Sequence, residues 1–277
     1  MHKTSLTLVF ILLCPTFISY SQNNCEWFPG NLNIQPFTAN ILEPKAGFEF
    51  LLGKSQLHLN IGTSQDLYRS FNEKSSLSFG ADLFTYSLLR STAEFHFPVD
   101  AIDYLFGLNA GYKIKDCNVE YGARFRLSHI SAHFVDGNFD FAKNSWRNGR
   151  QPQVYSREFI ELFPFIKYET VRTYLGFTYI FNITPDYLGK EIYQLGFDYY
   201  LADFISKGIT PFAAYDFKLS KIEKFKGNNS IVLGLKFGEY DSKGFSIRFS
   251  YFSGSSIHGE YFDLSDTFSS LGFNLEL

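Results

Sequence analysis

The sequence is short of charge, of cysteine and, past its leader, of long apolar runs, and each shortage excludes a class of protein. Charged residues make up 19% of the 277, against roughly 25% in soluble domains. Positive charge is not in excess, the formal net charge being −3. Counterion release therefore does not draw the chain to a phosphate backbone, and no nucleic acid partner is expected. No later stretch approaches the ~20 apolar residues of a transmembrane helix, and helix-period stretches are absent from about residue 56 onward. Phosphate-loop, dinucleotide and zinc-ribbon spacings are missing too, so no cofactor is expected.

What the chain has instead is aromatic rings: 33 Phe and 18 Tyr. So many rings need an apolar phase or a very large core. Residues 1–21 read as a cleavable secretory signal, with His2 and Lys3, the apolar run Leu6 to Cys14, and Ser19-Tyr20-Ser21 before Gln22. Neither Cys14 nor Cys25 follows the small residue a lipoprotein signal wants, so a lipid anchor is not expected. Sec-type export, many rings and no helical span leave a secreted β-protein or a barrel in the outer membrane of a Gram-negative bacterium.

The barrel reading rests on period-two alternation in units of about ten residues closed by turns. Twelve strands are expected at 56–66, 76–88, 91–98, 103–113, 117–133, 154–168, 172–181, 190–202, 209–219, 228–238, 243–253 and 266–277. The predicted fold is all-β, a closed antiparallel transmembrane barrel at 56–277 preceded by a periplasmic N-terminal segment at 22–55. Val119, Tyr121, Ala123, Phe125 and Leu127 would face lipid, with Glu120, Gly122, Arg124 and Arg126 in the lumen. Ile160, Leu162, Ile166 and Tyr168 oppose Arg157, Glu161 and Lys167 in the same way, so neighbouring lumen charges are of both signs. Mostly long gaps (67–75, 134–153, 182–189, 220–227, 254–265) alternate with short ones (88–91, 113–117, 168–172, 203–208, 239–242), with 99–102 the exception. That places both termini in the periplasm. Cys25 and Cys117 would share that oxidising side, and a disulfide between them is expected.

Ser270, Gly272, Leu275 and Leu277 at the end resemble the C-terminal assembly signal of outer-membrane barrels, a signal read by the barrel-assembly machinery. One dense polar cluster stands where the strand at 117–133 meets the longest loop: Ser128-His129-Ile130-Ser131-Ala132-His133-Phe134-Val135-Asp136-Gly137. With Tyr155-Ser156-Arg157-Glu158, Gln35-Pro36-Phe37 and Glu43-Pro44-Lys45, this stretch resembles the outer-membrane family known as domain of unknown function 1207. The resemblance implies a barrel and no reaction. A narrower resemblance is to outer-membrane phospholipase A, which uses a His-x-Ser pair on the lipid face of a twelve-stranded barrel with an Asn downstream in an S-W-N context. Here His129 and Ser131 have that spacing, and Ser145-Trp146-Arg147-Asn148 offers a displaced Asn.

Two functions follow as expectations. The first is a structural or surface-interaction barrel, with small-solute passage as a variant, facing outer-membrane lipids and lipopolysaccharide as a monomer or weak homodimer. The alternative is a calcium-assisted phospholipase-like hydrolase with Ser131 as nucleophile, His129 as base, and Asn148 or Asp136 orienting the ring. A metal bound by His129, His133 and Asp136 is not expected. Residues four apart on a strand lie ~13 Å apart.

Overall fold

The computed structural model describes residues 24–43, 45–202, 204–221 and 224–276, with the side chain of Asn148 left out. The expected signal at 1–21 lies outside the described residues. Among the described residues there are fifteen strands: β1 Asn24–Trp27, β2 Ala46–Leu51, β3 Gln56–Phe71, β4 Ser75–Arg90, β5 Val99–Asp116, β6 Val119–Phe134, β7 Phe139–Asp140, β8 Ser145–Trp146, β9 Tyr155–Tyr168, β10 Val171–Thr184, β11 Glu191–Tyr200, β12 Ile209–Lys221, β13 Phe225–Phe237, β14 Gly244–Ser255 and β15 Ser265–Glu276. Setting aside β1 and the small β7–β8 hairpin, twelve strands form one antiparallel sheet, which closes because β3 pairs with both β2 and β4. Closure leaves no unpaired edge in lipid, where each unsatisfied backbone group costs several kcal/mol.

Side chains follow the period-two expectation. In β10, Leu175, Phe177, Tyr179 and Phe181 are exposed on the outer face, while Tyr174, Thr178 and Ile180 are buried inside. β6 and β9 split as predicted, with Phe125, Leu127, Ile160 and Leu162 outward and Arg124, Arg126 and Glu161 inward.

Two strand expectations need correction, and they cancel in the count. Residues 91–98 are not a strand. Glu94 and Phe95 both adopt φ of 60°, a left-handed backbone that breaks the pleat, and Pro98 lacks a donor. The missing stave is β2, six residues drawn from the segment expected to be periplasmic. Phe48 and Phe50 point outward there and Leu51 inward. The barrel therefore begins at Ala46 instead of 56. Losing the strand at 91–98 also reverses the direction of β3 and β4. The tight turn at 72–74 now shares an end with the turns at 117–118 and 169–170, and 91–98 joins the long loops at 135–154 and 256–264. Both described ends of the chain lie at the turn end.

The rest of the N-terminal segment runs through the lumen instead of beneath it. Phe37, Ala39 and Asn40 are 0% exposed. Ile34 and Phe37 pack on Phe163, Phe165 and Tyr174, Ala39 on Phe212, Ala214 and Val232, and Leu42 on Phe84, Leu105 and Ile130. At the far end the loop 256–264 folds inward. Asp103 accepts from the Gly259 N–H at 2.8 Å and bonds to His258 Nδ1 at 2.7 Å. Glu260 accepts from the N–H groups of Phe134 and Gln153 at 3.1 and 3.0 Å. Burial raises the Glu260 carboxyl above its ordinary range against the pull of these two donors.

The expected Cys25–Cys117 disulfide is absent, and both thiols are free and exposed. Cys25 sits in β1 opposite Ser70 of β3, and Cys117 lies in the turn after β5, with β3 and β4 between. Three strand spacings amount to about 14 Å, whereas bridged Cα atoms lie under about 7 Å apart. Both thiols should therefore react with maleimide in the folded, detergent-solubilised protein without reductant; protection of the pair until reductant is added would restore the bridge. Glu43 anchors the lumen segment to Arg124, and losing that partner strands a buried guanidinium. Glu43→Leu is expected to lower stability by about 3–5 kcal/mol, read as a shift in the urea midpoint of the heat-modifiable gel band. Adding Arg124→Met should recover most of the loss, and a single variant no worse than the double would show that the ion pair does not hold the segment.

Candidate functional site

Two sets of polar side chains come together, one inside the barrel and one on its outer face. Inside, Arg126 is 1% exposed and lies between Asp82 (Nε–Oδ2 3.0 Å) and Glu161 (Nη1–Oε2 3.0 Å) while donating to the Leu42 carbonyl at 2.9 Å. Arg124 forks onto Glu43, with one contact at 3.0 Å. Arg172 binds Asp198 through Nε at 2.9 Å and donates to the carbonyls of Gln35 and Pro36, each at 2.7 Å. Between these two arginines lies the ring of Phe37, its centroid 4.8 Å from the Arg124 guanidinium and 4.5 Å from that of Arg172. Desolvated cation–π contacts of this kind contribute about 2 kcal/mol each.

Of the predicted lumen charges, Arg124, Arg126 and Glu161 meet in this network. Glu120 does not; it lies 3.6 Å from Lys113 near the turn end. Arg157 stands apart too, stacked 5.5 Å from the Phe159 ring and in no ion pair among the described residues. Sequence reasoning missed Asp82, Arg172 and Asp198, which the alternation would have placed inward. It also missed Glu43, which sits in a segment without periodicity and so gave no signal.

The outer set is built on β6 and its neighbours. His129, Ser131 and His133 share the outward face, as period two requires. His129 is opposite Phe106 of β5 and Glu158 of β9, and Ser131 opposite Tyr104 and Ser156. The His129 Nδ1 lies 2.6 Å from Glu158 Oε1, and Asn182 Nδ2 donates to Glu158 Oε2 at 2.7 Å. The Phe106 ring covers the imidazole at 4.9 Å between centroids. A carboxylate on Nδ1 favours the tautomer with its proton there, so Nε2 carries the free lone pair. That arrangement suits a general base oriented by an acid. No hydrogen bond joins Ser131 to His129 among the described residues.

The side chain that meets His129 is Glu158, which belongs to the Tyr155-Ser156-Arg157-Glu158 stretch. The signal was there, but it needed the register of β6 against β9 to be used. Asp136, itself exposed, begins a single turn, Asp136–Asn138, whose last residue is buried, and Asn148 lies outside the described side chains. His133 packs 5.9 Å from the Tyr104 ring and does not approach His129. No group of three or more His, Cys, Asp or Glu side chains able to hold a metal is gathered among the described residues.

Comparison with solved structures shows the same architecture elsewhere. Outer membrane phospholipase A from Escherichia coli aligns with a TM-score of 0.55 at 15% identity, over 87% of this chain and 93% of that one. The Salmonella typhi outer membrane phospholipase dimer with bound calcium aligns with a TM-score of 0.55 at 12% identity, over 88% and 94%. Acinetobacter baumannii OccAB1 aligns at 12% identity with a TM-score of 0.36, over 91% and 73%. At such identities the likeness to the phospholipases extends to the fold, that of an outer-membrane barrel, and stops there. No curated protein gives a significant sequence match. Residues 102–276, which run from β5 to the end of β15 and include the outer polar set and, of the inner one, Arg124, Arg126, Glu161, Arg172 and Asp198, match the family described as Protein of unknown function (DUF1207), and the chain belongs to that family.

Proposed function

We propose that this protein is an exported outer-membrane barrel sealed by its own N-terminal segment, with a structural or surface-interaction role and no solute passage. The observation that carries this reading is the anchoring of residues 33–43 to the lumen wall. Arg172 and Asp198 clamp the backbone on both sides of Phe37, since Asp198 also accepts from the Thr38 N–H at 3.1 Å, and the Arg124–Glu43 pair holds the far end. A barrel whose inward Arg124, Arg126 and Arg172 are held by this segment and by carboxylates of the wall has its available chemistry at its surfaces. Outer-membrane lipids cover the aromatic outer face, lipopolysaccharide and a weak second copy are the contacts in the membrane plane, and the assembly machinery receives β15.

The test is conductance in planar bilayers. The full-length protein should give no steady ohmic channel. Loosening the segment with Phe37→Gly and Arg172→Ala should introduce flickering steps. Stable porin-sized steps from the unaltered protein would defeat the sealed reading.

A second reading is favoured by one observation, the 2.6 Å contact between His129 and Glu158. On it, the protein is a phospholipase-like hydrolase acting on the lipid face. The Ser131 hydroxyl attacks the ester carbonyl and gives its proton to His129 Nε2. That proton leaves with the lysolipid alcohol, and water then releases the fatty acid from Ser131 by the reverse transfers. Glu158 orients and charge-balances the imidazole. Calcium belongs to this reading alone, and with no group of ligating side chains gathered among the described residues no step runs through it. Fatty-acid release from phospholipid in mixed micelles, with calcium added, is the measurement. Ser131→Ala should abolish it, and Glu158→Gln should cut it by roughly 10²–10⁴-fold, the range for an orienting or base contribution. No release from the folded protein removes the hydrolase reading and leaves the sealed barrel standing.

A further inference from the structure

Toward the turn end the lumen holds a cavity of about 130 Å³, bounded by the segment 31–38 on one side and by β3 and β10 to β15 on the other. The exposed residues Asn31, Asp241 and Lys243 stand at its mouth. The cations inside are of two kinds. Arg172 and Lys236 are fully engaged, Lys236 by the carbonyls of Tyr240 and Ser242 at 3.2 and 2.6 Å and by Glu276. Lys45 and Arg248 are not. Lys45 is half-buried and lines the cavity, yet it makes no hydrogen bond, ion pair or ring contact among the described residues. Arg248, 4% exposed, bonds through Nε alone, to Glu49 at 2.8 Å. Its two Nη atoms and Lys45 Nζ are not among the sealed polar atoms that lack a partner. All three are therefore open to the cavity they line.

These free donors carry charge that nothing nearby cancels. Of the charges around Lys45, Arg248 acts on it most strongly, and it repels. The two carboxylates that could answer are already occupied. Glu49 takes Arg248 Nε on one oxygen and the Ser270 hydroxyl, at 2.8 Å, on the other. Glu43 forks onto Arg124 and accepts from Asn40 Nδ2 at 3.0 Å. With Arg248 balanced by Glu49, the charge of Lys45 is left over. The wall adds further donors. β2 pairs with β3 only over Leu57–Asn60, and β1 only over Tyr68–Phe71. Gly62, Thr63 and Ser64, in between, line the cavity, and because successive residues of a strand turn their N–H groups to alternate sides, part of this stretch offers its amides to a side that no strand covers.

We propose that this cavity binds a small, singly charged carboxylate, with Lys45 Nζ and the two Nη atoms of Arg248 as the donors that hold it. One surplus positive charge matches one negative charge, and the free edge of a guanidinium matches two carboxylate oxygens. Tyr200 and Phe212, stacked with centroids 5.5 Å apart, give the cavity an apolar wall for the carbon end of the ligand. At ~10–15 Å³ for each water held, the space amounts to about ten waters, which limits the ligand to a short acid. The site goes beyond the sealed-barrel reading and does not rest on it, since a cavity that is blind at the lumen segment binds without conducting.

The test is calorimetric titration of the full-length folded protein in detergent with sodium acetate, butyrate, lactate and benzoate, and with phosphate and sulfate as comparison anions. At least one carboxylate should bind saturably and ahead of both inorganic anions. Lys45→Met should weaken that binding roughly 10- to 100-fold, the range for one charge-assisted hydrogen bond. Because Lys45 has no protein partner to strand, the same substitution should leave the urea midpoint of the heat-modifiable gel band unchanged or raise it. Arg248→Lys keeps a charge opposite Glu49 but loses the two-pronged edge, and it too should weaken binding. Lys54→Ala, at the long-loop end, should not. Absence of saturable binding by every carboxylate overturns the proposal, as does preference for phosphate or sulfate. Binding that ignores both Lys45→Met and Arg248→Lys does the same, and a fall in the Lys45→Met midpoint would give that ammonium a structural duty in place of a ligand.

Discussion

A sheet closed on itself in lipid has two faces with incompatible solvents, and period two sends every second side chain to the wrong one for the other. Outside, each strand needs apolar or aromatic residues; inside, the same strand has a column of positions that no lipid touches. This chain fills those inner positions with charge and hydroxyls: Asp82, Arg124, Arg126, Glu161, Arg172, Asp198 and Arg248 are all buried. A buried charge without a partner costs several kcal/mol even after relaxation, so the inner column has to be neutralised by something. Cross-strand pairs account for part of it, as where Arg126 meets Asp82 and Glu161. The remainder falls to residues 33–43 and to Glu49 on β2, which takes up Arg248 at 2.8 Å.

The lumen segment follows from that constraint. A stretch with one carboxylate, Glu43, and a row of backbone carbonyls can satisfy guanidinium groups that carboxylates alone would overcharge. Arg172 takes the Gln35 and Pro36 carbonyls, and Arg126 takes that of Leu42. Phe37 enters between two arginines, so its ring replaces the water each guanidinium face would otherwise hold. The segment acts as the counter-lining of a charged tube, and the arginines that grip it are the ones an open pore would have displayed.

How much of this was legible depends on whether a residue sits in a periodic stretch. Outward Leu175 or Phe125 and inward Arg124 or Glu161 could be placed by parity alone, because a strand in a closed sheet cannot slip by one residue without turning its apolar face into the lumen. β2 could not be read, since six residues give only three alternations. Residues 91–98 misled for the converse reason: their apolar residues fit a strand until the left-handed Glu94 and Phe95 are known. Glu43 stands in a short motif that gives no hint of its partner, because its pairing with Arg124 spans 81 residues of sequence and no local pattern carries it. The same holds for Asp103 and His258.

His129 shows how position can make chemistry out of parity. Its ring faces outward only because β6 continues unbulged from Val119, and Glu158 meets it only because β9 is in register with β6 at that height. An imidazole and a carboxylate facing acyl chains are costly when separate. As a hydrogen-bonded pair under Phe106, with Asn182 on the second carboxylate oxygen, they satisfy each other. That mutual satisfaction is a sufficient reason for the pair to persist on an outer surface, and it is also what a base awaiting a hydroxyl requires. The two explanations part at Ser131, whose hydroxyl has no structural duty to His129. A lipid ester is what the second explanation asks that hydroxyl to meet.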